Sequence, residues 1–223
     1  MRTPAIIVNF KVYPEIDGDR SLKLAKICEE VAHETGVNIV VCPPMVELSR
    51  IAHEISIPVF SQHVDMWNGG ARTGRTSITG IKAAGAEGTL INHSERRLLL
   101  ADMEELIRGS RNEGLDTIVC TNNVEVSKAA AAMGSNFVAM EPPELIGGDI
   151  SVTTADPDIV KRTVEAVDGI DPKVKVLTGA GVKTREDVEM AIQLGTHGVL
   201  LASGVVKAKD PREVLLSLAR GLI

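Results

Sequence analysis

The chain is predicted to fold as a single (β/α)8 barrel, with eight parallel strands closed into a ring and an outer layer of helices. Three observations point there. Short apolar, β-branched runs alternate with stretches of helical spacing, and this alternation repeats eight times across 223 residues, about 28 per unit. No composition shift or linker marks a boundary, so residues 1–223 read as one domain. Aromatic side chains make up only 2% of the sequence, so the core is expected to be built from small and branched aliphatics, which suits a parallel sheet buried on both faces.

Taken in order, the first unit pairs a strand over 5–10 with a helix over 20–34, and the second a strand over 38–42 with a helix over 46–54. The third and fourth place strands over 58–62 and 88–92 ahead of helices over 79–84 and 102–113. The fifth and sixth read as strands 117–120 and 137–140 with helices 124–133 and 157–167. The last two give strands 174–177 and 198–201 and helices 185–194 and 211–222. Each strand run is too short for a helix and nearly continuous in apolarity. Helix signals support the scheme: Thr184 stands as an N-cap before Arg185-Glu186-Asp187, Gly195 falls where a left-handed C-cap belongs, and Asp210-Pro211 opens the last helix. The rival architecture, an open doubly wound sheet, calls for a Gly-rich turn after the first strand, where Asn9-Phe10-Lys11 stands instead.

Composition narrows the function classes. Lys and Arg number 24 against 30 Asp and Glu, a net charge of −6 without a basic cluster, which argues against a nucleic acid partner but not against a small phosphorylated ligand. Cys28, Cys42 and Cys120 are odd in number and form no C-x-x-C pair, so neither a disulfide framework nor a zinc site is expected, and a reducing cytoplasm is the natural compartment. No apolar run approaches the roughly 18–20 residues of a membrane span. The opening Met1-Arg2-Thr3-Pro4 leads into a short apolar strand rather than a signal-peptide core, so the chain reads as a mature, membrane-free protein.

In a barrel of this kind chemistry gathers where strands run out toward helices. Asn9 and Lys11 leave the first strand, and period-two geometry would aim both to one side. His93 closes the fourth strand ahead of Ser94-Glu95-Arg96-Arg97, where a helix N-terminus would disfavour its protonated form. Glu141 emerges from the apolar run 137–140 beside two prolines, a setting that desolvates a carboxylate and makes it more basic. A bland account exists for each alone: a solvated lysine, a structural histidine, a loop acid of the kind Glu144 exemplifies. His33, His53, His63 and His197 show no metal-ligand spacing, and Cys42 and Cys120 have no neighbouring base, so they read as packing residues. The turns Thr178-Gly179-Ala180-Gly181 and Ala202-Ser203-Gly204 follow the seventh and eighth strands, where backbone N–H groups commonly hold phosphate.

With these segments in view, the sequence resembles the triosephosphate isomerase family from end to end. Asn9-Phe10-Lys11 is similar to the family's Asn-x-Lys signature, His93-Ser94-Glu95-Arg96-Arg97 to its His-Ser-Glu-Arg-Arg segment, and Glu141-Pro142 with Ile146-Gly147 to its catalytic glutamate and lid. The short chain, Asn92 before His93 and the Pro143-Glu144-Leu145 form of the lid look like the archaeal branch. Glu144 stands where the most familiar lid carries Trp, and Gly179-Ala180-Gly181 and Ala202-Ser203 replace the usual Gly-Gly-Ser and Gly-Gly turns.

The resemblance implies interconversion of the triose phosphates dihydroxyacetone phosphate and glyceraldehyde 3-phosphate, without cofactor or metal. Glu141 would move the proton between the two carbons, and His93 and Lys11 would stabilise the enediolate oxygens. Asn9 would fix a substrate oxygen, and Glu95 would orient the site from behind. Ile146, Gly147, Gly181, Ala202 and Ser203 would hold the phosphate beneath the lid 142–148. The loop 64–77, with Trp67, Gly69-Gly70 and Thr73-Gly74, is similar to the projecting loop through which the family's copies assemble. That implies a homo-oligomer, a tetramer ahead of a dimer, built through this loop and the outer helices, with Thr73 approaching the partner's Lys11 site. Two rivals remain: another phosphate-binding barrel isomerase, which would favour acids at its strand ends and lack His93-Ser94-Glu95, and a non-catalytic sugar-phosphate binder, which would have lost Glu141, His93 or Lys11.

Overall fold

The computed structural model describes residues 1–66, 69–148 and 150–223. Its eight strands form one parallel sheet: β1 (Ala5–Asn9), β2 (Asn38–Cys42), β3 (Phe60–Ser61), β4 (Gly88–Ile91), β5 (Asp116–Thr121), β6 (Phe137–Met140), β7 (Lys175–Thr178) and β8 (Gly198–Leu201). The ladder runs from β2 through β1 and β8 round to β3, and a parallel bridge between Val41 and Val59 closes the ring. The third strand is shorter than the 58–62 expected. Pro58 has no N–H to give, so the ladder with β4 holds only Phe60 and Ser61.

Helices cover the outside: α1 (Asp19–Thr35), α2 (Leu48–Glu54), α3 (Ile78–Ala83), α4 (Leu100–Asn112), α5 (Val124–Ala132), α6 (Val152–Ala155), α7 (Pro157–Asp168), α8 (Arg185–Gln193), α9 (Ser203–Val206) and α10 (Pro211–Arg220). The eight expected helices are all present, with ends moved by a residue or two. The start of the second becomes a 3₁₀ turn, Met45–Glu47. Two short helices were not foreseen: α6 follows the lid, and α9 begins at Ser203, where the sequence suggests only a turn. The caps form as read. Thr184 Oγ1 accepts from Asp187 N and Asp187 Oδ2 from Thr184 N, a reciprocal box, while Asp210 caps α10 through Glu213 N.

Strand alternation splits the core in two. Ala5, Ile7, Val40, Cys42, Phe60, Leu90, Ile118, Cys120, Phe137, Ala139, Leu177 and Leu200 fill the barrel, while Ile6, Val8, Ile39, Val41, Val119 and Val138 face the helices. The aliphatic core expected from composition holds outside the ring. Inside, two of the three Phe residues supply bulk, and Gly88 makes room for one: a Cβ there would meet the Phe60 ring at 2.5 Å. Among the described residues no helix is long and apolar enough to cross a membrane.

Candidate active site

The inward phase of two strands delivers two polar side chains to the mouth of the barrel. Asn9 continues Ala5 and Ile7, and Glu141 continues Phe137 and Ala139; both remain buried, 3% and 7% exposed. Lys11 arrives differently. The strand ends at Asn9, and Lys11 adopts a left-handed backbone, φ 52°, so alternation does not place it. Its conformation is fixed by contacts: Lys11 N donates to Asn9 Oδ1 at 3.0 Å, and Gln62 Nε2 donates to the carbonyls of Lys11 (2.9 Å) and Cys42 (3.0 Å). Gln62 escaped the sequence reading, although it stands at a strand end as the other candidates do.

A second left-handed residue, Asn92 with φ 60°, turns the chain after β4. Its side chain bridges this turn, donating to Cys120 O at 3.0 Å and accepting from Leu98 N at 2.9 Å. His93 follows, 7% exposed. The helix N-terminus expected behind it is a tight turn instead, because α4 begins only at Leu100. Within that turn Glu95 N donates to His93 Nδ1 at 3.2 Å, and Arg96 N to His93 O at 2.8 Å. A ring nitrogen that accepts an N–H carries no proton, so the neutral imidazole holds its proton on Nε2. Burial pushes the His93 pKa down, as do the charges of Lys11 and Arg97, against a smaller upward pull from Glu95. Nε2 lies 3.8 Å from Glu141 Oε2.

Burial is also the main influence on Glu141, whose pKa rises from 4.5 to about 7; Lys11 and the Cys120 thiol pull it down, and Glu95 raises it. Glu141 Oε2 is buried with no hydrogen-bond partner in the protein. The site therefore holds a carboxylate poised to gain or lose a proton near neutral pH, facing an imidazole N–H and an ammonium group. Glu95 is not behind this cluster: its side chain is 58% exposed at the rim, where Oε1 pairs with Lys11 Nζ at 2.8 Å. The three cysteines are buried and unpaired, with burial raising each thiol's pKa. Among the described residues no group of His, Cys, Asp or Glu is arranged to hold a metal ion.

Asn9, Lys11, His93 and Glu141 line one cavity of about 490 Å³ with Ile146, Gly147, Gly181, Ala202 and Ser203. Gly148 of the lid and Gly204 of the predicted turn after β8 also line it, as do Tyr13, Val182 and Lys183, which the sequence does not single out. The phosphate end is shaped by close backbone approach. At Gly181, φ 75°, a Cβ would stand 2.2 Å from Ile150 O, and Ala180 O accepts from Val152 N at 3.1 Å, tying the far end of the lid to the turn after β7. Gly179 leaves room for the base, since a Cβ there would meet Leu200 O at 2.5 Å and Glu141 Oε1 at 3.2 Å. The lid turns once as a 3₁₀ helix, Pro143–Leu145, and leaves it through Gly147 with φ 75°.

In the projecting loop, Trp67 and Asn68 lie outside the described residues. Its neck is paired, Asp65 N to Thr76 O at 2.8 Å, and residues 69–75 are exposed. Beside the cavity runs a groove of about 810 Å³ lined by Val12, Pro44, Met45, Val46, Gln62 and Glu95 among others.

Comparison with known proteins gives the family. The family model described as triosephosphate isomerase matches residues 4–220. Relatives include the triosephosphate isomerase of Methanobacterium bryantii, 52% identical over 97% of this chain and 96% of that protein. Those of Methanocaldococcus jannaschii and Methanosarcina barkeri are 51% and 49% identical, covering 96% and 99% of this chain and 98% and 99% of those proteins.

Proposed function

The chain belongs to the triosephosphate isomerase family, and from that premise we propose how its own residues carry the reaction. The enzyme interconverts dihydroxyacetone phosphate and D-glyceraldehyde 3-phosphate, an aldose–ketose isomerisation used in glycolysis and gluconeogenesis. Glu141 takes the proton from the carbon beside the carbonyl, passes through its neutral form, and returns the proton to the adjacent carbon. A carboxyl pushed up to about 7 suits both steps, since its ionised form is basic enough to take the proton and its neutral form acidic enough to give it back. The negative charge formed meanwhile resides on the enediolate oxygens. His93 Nε2–H and the Lys11 ammonium donate to them, and Asn9 fixes the oxygen nearest the barrel axis. A neutral imidazole is well matched to an enediolate, because the pKa values of donor and acceptor lie closer than with an imidazolium.

Glu95, from the rim, holds the mostly buried Lys11 ammonium in place beside the cavity. The phosphate rests on backbone N–H groups from Gly181, Ala202, Ser203 and the lid residues Ile146 and Gly147, so replacement of the usual glycines by Ala and Ser leaves those donors in place. Lid closure excludes water and keeps the phosphate in the enediolate plane, which opposes its elimination.

The observation that carries this reading is the convergence of Lys11, His93 and Glu141 on one cavity from three distant strand ends. A coupled assay with each triose phosphate tests it: fast interconversion in both directions without added metal or nucleotide is expected, and turnover absent under those conditions overturns it. We further propose assembly into a homotetramer in the cytoplasm. The exposed tip of loop 69–75 and the groove beside Lys11 support one interface, with Thr73 reaching a second copy's Lys11 site. Leu99 and Leu100, 73% and 61% exposed at the start of α4, support another on the outer helices. Three unpaired buried thiols suit a reducing compartment.

A further inference from the structure

Outside the catalytic cavity, the projecting loop and the turn that carries His93 meet at one carboxylate. Asp65 is 7% exposed. Its Oδ1 accepts from His63 Nε2 at 3.1 Å, Arg75 Nη1 at 3.2 Å and Arg96 Nη2 at 3.2 Å, and its Oδ2 from Thr76 N at 2.7 Å. Burial alone would raise its pKa, but the Thr76 N–H and the His63 and Arg75 contacts bring it below the ordinary carboxylate value, so it stays ionised. His63, Asp65, Arg75 and Arg96 border a cavity of about 540 Å³ that shares no lining residue with the catalytic one.

We propose that Asp65 is a positioning residue for the isomerisation: through Arg96 it holds the 93–96 turn so that Glu95 N–H stays on His93 Nδ1 and the His93 proton stays on Nε2. The inference rests on His93 being the enediolate's donor. The loop is closed at its base by Asn92 Oδ1 and Leu98 N, three or more residues from Glu95. At its tip, Glu95 is also held through its side chain by Lys11 Nζ, an ammonium that lines the catalytic cavity itself. Arg96 on Asp65 is a tip contact made by two residues that do not line the catalytic cavity. Without it, the turn keeps at its tip only the Lys11–Glu95 side-chain pair, the Glu95 N–H loosens from Nδ1, and Nδ1 competes for the proton. Nε2 would then face the developing oxyanion with a lone pair. Phosphate binding, made by turns on the other side of the barrel, would be spared.

The test compares the parent enzyme with Arg96→Gln, which cuts the link while leaving Thr76, Arg75 and His63 on Asp65, and with Arg96→Lys, which keeps a charged donor. For Arg96→Gln, kcat is expected to fall about tenfold or more with KM changed by less than about twofold. Nitrogen NMR of His93 is expected to move from the Nε2–H form toward a mixture of tautomers. Arg96→Lys should recover part of both readouts, and Asp65→Asn should reproduce the tautomer change. A parental kcat in Arg96→Gln, an unchanged His93 tautomer, or a kcat loss that merely tracks the folded, assembled fraction by sedimentation overturns the proposal. His93→Gln separates the two layers: if that variant retains full turnover, the role of His93 is wrong, whereas an inactive His93→Gln beside a fully active Arg96→Gln removes only the role of Asp65.

Discussion

Glu141→Gln removes a charge at nearly constant volume, and its effect on stability is expected to change with pH in a way that a merely structural glutamate would not show. The carboxyl titrates at 4.5 in an ordinary setting and at about 7 in the folded chain, chiefly because burial disfavours its ionised form. Below about pH 4 it is protonated in both folded and unfolded chains, and the buried group costs no charge. As pH rises toward 7 the unfolded chain ionises while the folded one keeps its proton, so folding loses stability; above 7 the loss is complete. Moving the titration from 4.5 to about 7 corresponds to about 3 kcal/mol. The variant should therefore match its parent near about pH 4 and exceed it by about 3 kcal/mol at about pH 8, measured by urea unfolding at matched protein concentration. Its turnover should fall by about 10²- to 10⁴-fold with KM little changed. A variant no more stable than the parent at the higher pH, or stabilised equally at both, would refute the account of a desolvated base; near-normal turnover would refute the base assignment.

In the parent enzyme, kcat/KM should drop about tenfold per pH unit below a midpoint near 7, set by protonation of Glu141; a midpoint at about 6, where a phosphate monoester takes its proton, would mean that substrate alone is titrating. Gly181→Ala places a methyl 2.2 Å from Ile150 O at a positive φ, so steady-state kinetics should show KM raised about tenfold, and thermal unfolding a loss of about 1–3 kcal/mol. Parental kinetics there would mean that the turn does not shape the phosphate end. Replacing residues 69–75 by a short Gly-Ser link, with the Asp65–Thr76 neck kept, should give a smaller species in sedimentation and reduced turnover. An unchanged assembly would exclude this loop as an interface.

How far the sequence reaches depends on how local the cause is. Strand phase is local, so the order of eight units follows from the recurring apolar runs, the inward series 5, 7, 9 and 137, 139, 141 follow from period two once the polar ends Asn9 and Glu141 are read as facing the mouth, and caps such as Thr184 and Asp210 follow from neighbours a few residues away. Once a strand ends, period two carries no further information. Lys11 and His93 reach the cavity through left-handed turns at Lys11 and Asn92. One of these is braced by Gln62, 51 residues from Lys11, and the other is tied to Cys120, 28 residues from Asn92. Glu95 stands at the rim rather than behind the site, and a tight turn rather than a helix meets His93, because α4 starts near where its periodicity places it, at Leu100, and the segment between has no periodicity to read. The basicity of Glu141 belongs to the tertiary structure as well: it comes from exclusion of water and from the Lys11, Cys120 and Glu95 groups that distant segments bring to it only when the ring closes, whereas the tautomer of His93 is set by an N–H two residues on.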